Sequence, residues 1–181
     1  HLYGLKKLGA KIKIKNGYIE AEAKNGLIGK KIKLPKISVG ATENLIIAAS
    51  YANGTTIIKN CACEPEILDL TNFLKKMGVN IKWISNREIK IIGGKKFKPA
   101  SHSVMFDRIE AGTFVIAGAL IAKKLKIVSV ETKIIEKELK ILKKMGIKLK
   151  INKNEIVILN SKNIKPVKIK TEPYPGFPTD L

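Results

Sequence analysis

The sequence predicts an α/β fold made of repeated β-α-β-α-β-β units, with buried helices and outer sheets. Three observations predict it. The phrase LKKLGA at residues 5–10 returns as LKKMGV at 74–79 and as LKKMGI at 142–147, so that Gly9, Gly78 and Gly146 stand 69 and 68 residues apart. A period that long marks a repeated supersecondary unit rather than a short solenoid repeat. After each glycine come two short alternating runs split by a polar turn, as in KIKIK at 11–15, and such runs read as strands with one wet face. The driest stretches, 45–49 and 112–122, are apolar almost all round and rich in Ala and Gly, which calls for burial on every side of a helix. That inverts the doubly wound arrangement, where the strands are the continuous apolar runs.

The elements follow in order. The chain opens on the tail of one unit: a helix closing at Gly9, then strands at 11–15 and 18–23 turned by Asn16-Gly17, a favoured hairpin pair. A nearly whole unit follows, with a strand at 30–34, a helix through 45–49 and a strand at 55–60. Its second helix carries Ile67, Leu70, Leu74 and Met77 on one face; Glu64-Pro65 opens it with an acid at the positive end and proline at the first helical position. A hairpin of 80–84 and 88–92 around Asn86-Arg87 completes the unit. The next unit repeats the plan, with strands at 103–106 and 126–130, an amphipathic helix through Ile135, Leu139, Leu142 and Met145, and strands at 148–151 and 155–159. Each repeated glycine suits the left-handed residue that closes a helix. Residues 93–101, with Pro99, form the expected boundary, giving one part at 1–102 and another at 103–181.

Composition excludes several roles. A chain of 181 residues can hold one or two domains with real cores. Its net charge is +20, yet of 35 basic residues only Arg87 and Arg108 are arginine. Base readout and bidentate phosphate grip favour arginine, and single-strand binding wants aromatic platforms; aromatics here are 6%. The lysines alternate with isoleucine as the wet face of strands, so no nucleic-acid partner is expected. The longest apolar run falls short of the roughly 20 residues a membrane span needs, so no membrane association is expected. Cys61 and Cys63 form neither a zinc pattern nor a disulfide framework, and a reducing, cytoplasmic location is expected. The chain opens on His1 rather than Met and stops at FPTDL, which reads as a piece of something longer.

One stretch raises a chemical question. KISVGATEN, residues 36–44, puts a lysine, a serine and a glycine where a well-buried helix begins. A helix start offers unpaired N–H groups and partial positive charge, which suit a phosphate. It also needs a cap, which Ser38 or Thr42 could supply. The nine residues alone leave both readings open.

KISVGATEN, with GTTIIKNCACEPEILDLTNFLKKMG, DRIEAGTF and PYPGFPTD, resembles the UDP-N-acetylglucosamine enolpyruvyl transferase family, in order and over the full length. The resemblance implies an inside-out α/β barrel: two lobes of three β-α-β-α-β-β units, with the active site in the cleft between them. The chain would be an internal piece of an enzyme over twice its length, holding the later part of one lobe, crossing near 106–108, and supplying the first unit of the other. The reaction implied is transfer of enolpyruvyl from phosphoenolpyruvate to the 3-hydroxyl of UDP-N-acetylglucosamine with release of phosphate, the first committed step of peptidoglycan synthesis. No cofactor and no metal are implied, since lysine and amide donors neutralise the phosphates.

By that resemblance Lys36, Ile37, Ser38, Val39 and Gly40 grip the diphosphate, Lys36 by charge, Ser38 by its hydroxyl, Val39 and Gly40 by their amides. His1 lies near the uracil. Asp180 in FPTD contacts the sugar 3-hydroxyl and takes its proton, with Thr179 beside it in a stiff turn. Glu64, Asp107 and Arg108 match positions near the cleft or lobe junction. Each has a plainer reading, Glu64 as a helix-start acid and Asp107 with Arg108 as a surface ion pair. Cys63 stands where many relatives carry arginine. The reactive cysteine, a Lys-Asn pair and the arginines that hold phosphoenolpyruvate fall outside this chain, so the piece alone is expected to be inactive. Three alternatives stay open: the 3-phosphoshikimate branch of the same fold, a noncatalytic nucleotide-sugar binder, and a noncatalytic nucleic-acid module.

Overall fold

A computed structural model describes residues 1–94, 96–161 and 163–181; Lys95, within the expected boundary, lies outside them. The described chain forms two compact units, His1–Ser103 and Val104–Leu181. The first contains α1 (Leu2–Lys7), β1 (Lys11–Lys15), β2 (Tyr18–Glu22), β3 (Lys31–Lys33), α2 (Val39–Tyr51), β4 (Gly54–Lys59), α3 (Pro65–Lys76), β5 (Asn80–Ser85) and β6 (Glu88–Gly93). The second contains α4 (Arg108–Ile121), β7 (Lys124–Val128), α5 (Glu136–Lys144), β8 (Lys148–Asn152) and β9 (Glu155–Leu159).

In the first unit β1 and β2 form a separate hairpin, while the other strands make a sheet of order β3-β4-β6-β5. β3 runs parallel to β4, and the remaining pairs are antiparallel. The β1–β2 turn places Asn16 and Gly17 at φ 51° and 80°, the twist that a two-residue hairpin requires. Alternation works as the sequence predicts: Ile58, Ile89 and Ile91 turn inward with no exposure, and α2 and α3 cover that inner face. Leu45, Ile46 and Ala49 of α2 are fully buried, but Ile47 is 43% exposed, so the 45–49 stretch is not buried on every side as expected. Gly9, Gly78 and Gly146 all sit at positive φ, 102°, 95° and 91°, closing their helices as read from the repeat. After β6 the chain returns along α3: the Lys98 N–H donates to the Met77 carbonyl at 2.9 Å, His102 Nε2 lies 3.0 Å from Asp69 Oδ1, and its ring stacks on Phe73.

The second unit has an antiparallel sheet of order β7-β9-β8 backed by α4 and α5. Two expectations fail here. Residues 103–106 form no strand: Val104 is 79% exposed and Met105 and Phe106 are only half-buried, so alternation fixes the register weakly, unlike β3, which buries Ile32. Nor is α4 buried on every side. It buries Ala111, Gly112, Val115, Gly118 and Ala119 but leaves Phe114, Leu120 and Ile121 exposed. One sheet covers only one face of a helix, and the other face needs a further layer. Among the described residues the sheets are open and close into no barrel.

Candidate functional site

The first group of predicted residues gathers at the start of α2. Ser38 is the N-cap, with extended backbone (φ −150°, ψ 123°), and its Oγ accepts the Ala41 N–H at 3.4 Å. Its carbonyl accepts both the Thr42 N–H at 3.0 Å and the Thr42 hydroxyl at 2.8 Å. The cap reading therefore holds for Ser38. Thr42, the other candidate cap, is fully buried in the first turn and accepts the Ala62 N–H at 3.0 Å. The N–H groups of Val39 and Gly40 point out of the helix start, where no intrahelical acceptor exists. Lys36 is exposed, while Ile37 and Val39 are half-buried against the core.

His1 joins this group across the whole first hairpin. A Cβ built on Gly40 would meet the His1 ring at 3.2 Å (Cε1) and 3.4 Å (Nε2). A side chain at Gly40 would therefore press on the imidazole, which would have to give by a few tenths of an ångström. Glu64, 4% exposed, is the N-cap of α3. Burial pushes the Glu43 carboxyl up, and the Glu66 and Glu64 carboxylates push it further, so the acids of α3 face the first turn of α2. Cys61 is buried and its thiol is pushed up to about 12, chiefly by burial, which leaves it inert as a nucleophile.

The second group lies on α4. Asp107 is its N-cap, with Oδ1 accepting the N–H groups of Ile109 at 2.8 Å and Glu110 at 3.1 Å. Arg108 is not the surface residue expected: it is 8% exposed, and its guanidinium stands over the Tyr174 ring, 5.7 Å from the centroid. Burial pushes the nearby Glu138 carboxyl up, and the Arg108 charge opposes that. Helix geometry drives the difference, because the N-cap aspartate turns outward to the amides while the next side chain turns into the unit. Residues 171–181 fold back onto the same helix. Glu172 N–H donates to the Phe177 carbonyl at 2.9 Å, Phe177 and Pro178 are buried, and Leu181 fills the space where Gly112 lacks a side chain. Thr179 and Asp180 are exposed between these two anchors. Tyr174 at Arg108 and Leu181 at Gly112 meet α4 one turn apart.

Sequence reading missed Thr42 as a tie between two segments, and Tyr174 and Glu138 as the surroundings of Arg108. Scarcity was a usable signal. In a chain that spends nearly all its positive charge on lysine, Arg87 and Arg108 are the exceptions, and each has its guanidinium engaged within its unit. Arg87 Nη1 donates to the Cys61 carbonyl at 2.9 Å, and the Arg108 charge lies over the Tyr174 ring in a cation–π contact.

The two groups sit in separate units, a capped helix start beside an imidazole in the first and an exposed carboxylate on a two-anchored turn in the second. The family model described as EPSP synthase (3-phosphoshikimate 1-carboxyvinyltransferase) matches residues 1–181. The chain belongs to that family of carboxyvinyl, or enolpyruvyl, transferases. Within it, the sequence is 59% identical over 181 residues to a UDP-N-acetylglucosamine 1-carboxyvinyltransferase of Pelagibacter ubique (strain HTCC1062), and 50% identical to one of Clostridium acetobutylicum. Each alignment takes in all of this chain and 43% of the relative. The chain thus spans less than half the length of the curated relatives it matches. Two solved structures share the fold. The enolpyruvyl transferase NikO from Streptomyces tendae superposes with a TM-score of 0.80 at 19% identity, over 98% of this chain and 45% of that one. EPSP synthase from Acinetobacter baumannii gives 0.62 at 22%, over 92% and 40%. No described helix is long and apolar enough to cross a membrane.

Proposed function

We propose that the protein containing this chain transfers enolpyruvyl from phosphoenolpyruvate to the 3-hydroxyl of UDP-N-acetylglucosamine, releasing phosphate, in the cytoplasmic step that commits material to peptidoglycan. The observation that carries this is the identity of the whole chain, at 59%, with a protein named for that reaction. In this reading residues 1–102 belong to one lobe and 103–181 to the other. Lys36, Ile37, Ser38, Val39 and Gly40 hold the diphosphate, where a helix start supplies amides and partial charge, and His1 lies by the uracil. Asp180 accepts the proton of the sugar hydroxyl as its oxygen bonds to C2 of phosphoenolpyruvate and an acid protonates C3. Loss of a C3 proton and of phosphate then restores the double bond. Thr179 positions the substrate beside Asp180. Glu64, Asp107 and Arg108 support activity from the cleft and lobe junction.

Two measurements test the reading. In the full-length protein, Lys36→Ala should weaken binding of UDP-N-acetylglucosamine, by calorimetry, about ten- to a hundredfold, as for a lost charge-assisted contact. Selective binding of shikimate 3-phosphate over the nucleotide sugar would move the protein to the other branch. The 181-residue chain by itself should release no phosphate from the two substrates, because the phosphoenolpyruvate-holding groups lie elsewhere in the protein. Detectable turnover by the purified piece would refute that assignment.

A further inference from the structure

The loop that enters α2 is held at both ends by one short segment. Upstream, the Leu34 N–H donates to the Lys59 carbonyl at 3.0 Å, and the Leu34 carbonyl accepts the Asn60 side-chain amide at 2.9 Å. Asn60 reaches it from a left-handed backbone, φ 61°. Downstream, the Ser38 carbonyl accepts the Thr42 hydroxyl at 2.8 Å, and that hydroxyl accepts the Ala62 N–H at 3.0 Å. A threonine hydroxyl bonded to the carbonyl four residues back is common within helices. The additional bond to Ala62 is tertiary and crosses twenty residues. Between the two clamps lie only Pro35, whose ring fixes φ, exposed Lys36, and Ile37, packed on the core. The clamping segment is itself braced, since Cys61 exchanges two hydrogen bonds with Arg87 at the β5–β6 turn, N–H to carbonyl at 3.0 Å and guanidinium to carbonyl at 2.9 Å.

We propose that Thr42 and Asn60 are positioning residues that hold the 36–40 loop in its binding shape through the 60–62 segment, so that the nucleotide sugar's diphosphate meets a preformed cradle. This rests on the reading that residues 36–40 bind that diphosphate. Neither side chain touches the ligand. Their contribution is to remove the ordering cost that a loose loop would incur on binding. The signature is a loss in affinity with little loss in the chemical step.

The experiment uses the full-length protein, with calorimetric titration of UDP-N-acetylglucosamine, steady-state kinetics and a thermal melt for each variant. Thr42→Val keeps the shape and removes the hydroxyl; it should raise Kd and KM about tenfold, with kcat at saturation within about twofold. Thr42→Ser should restore affinity to near the parent value. Asn60→Gly keeps the left-handed backbone accessible and removes only the amide; it should weaken binding by a similar factor, which decides the matter if Thr42→Val does not fold. Parent-like affinity in Thr42→Val and Asn60→Gly, or a Thr42→Ser protein as weak as Thr42→Val, would overturn the clamp. Lys36→Ala separates the two levels: if it weakens binding while the clamp variants do not, only the clamp fails, and if it leaves binding unchanged, the cradle reading fails with it.

Discussion

Asp180→Asn in the full-length protein should lower kcat by about 10² to 10⁴, the range for removing a positioned general base, with Kd for UDP-N-acetylglucosamine changed far less. The substitution keeps size and polarity and removes the ability to accept a proton. The geometry favours a clean result. Asp180 is exposed, while Phe177 and Pro178 before it are buried and Leu181 after it rests on the bare Cα of Gly112, so the turn is fixed by its neighbours rather than by the carboxylate. Phosphate release under saturating substrates measures the effect. An unchanged kcat would remove Asp180 from the chemistry and leave it a turn residue.

The largest expected structural effect is Gly93→Ala. A methyl group there would fall 2.5 Å from the Ala52 carbonyl oxygen and 2.9 Å from that of Ser50, and would overlap the Ala49 oxygen outright. All three are backbone atoms at the end of α2, so no rotamer change relieves the clash. The cost should reach the upper end of the overpacking range, about 3 kcal/mol or more. Hydrogen exchange in β6 and α2 of the full-length protein measures it locally, where a multidomain melt would blur it. Parent-like protection in these elements would show that sheet and helix can part at that point without loss.

Much of the fold was legible because its signals are local. The LKK-x-G phrase reports helix closure through one glycine, and all three glycines carry the left-handed angle it implies. Alternating Ile and Lys report which strand face is dry, and Ile89 and Ile91 confirm it. What failed depended on neighbours. The 112–122 stretch is apolar on every side, and that pattern is silent about which side a given layer covers, so the exposure of Leu120 and Ile121 could not be read. The same division runs through the candidate site. Ser38 as a cap, Glu64 at a helix start and the stiff turn around Asp180 are properties of short windows. The approach of His1 to Gly40, the Thr42–Ala62 bond and the Arg108–Tyr174 cation–π contact join residues far apart in sequence. No periodicity encodes such pairs, though the rarity of arginine marked one partner in advance.

The seating of α2 has a mechanical consequence. Its thirteen residues make a rod about 20 Å long. At the far foot the Ser50 carbonyl accepts the Gly94 N–H at 3.3 Å, and Asn53 just beyond exchanges bonds with Leu27 and Gly29 at 2.8 Å each. A rod gripped at both feet does not bend to meet an arriving charge. Jitter at its mouth is set by the stiffness of the whole sheet behind it, so a fault planted beneath the distant foot should be felt as blur at the mouth.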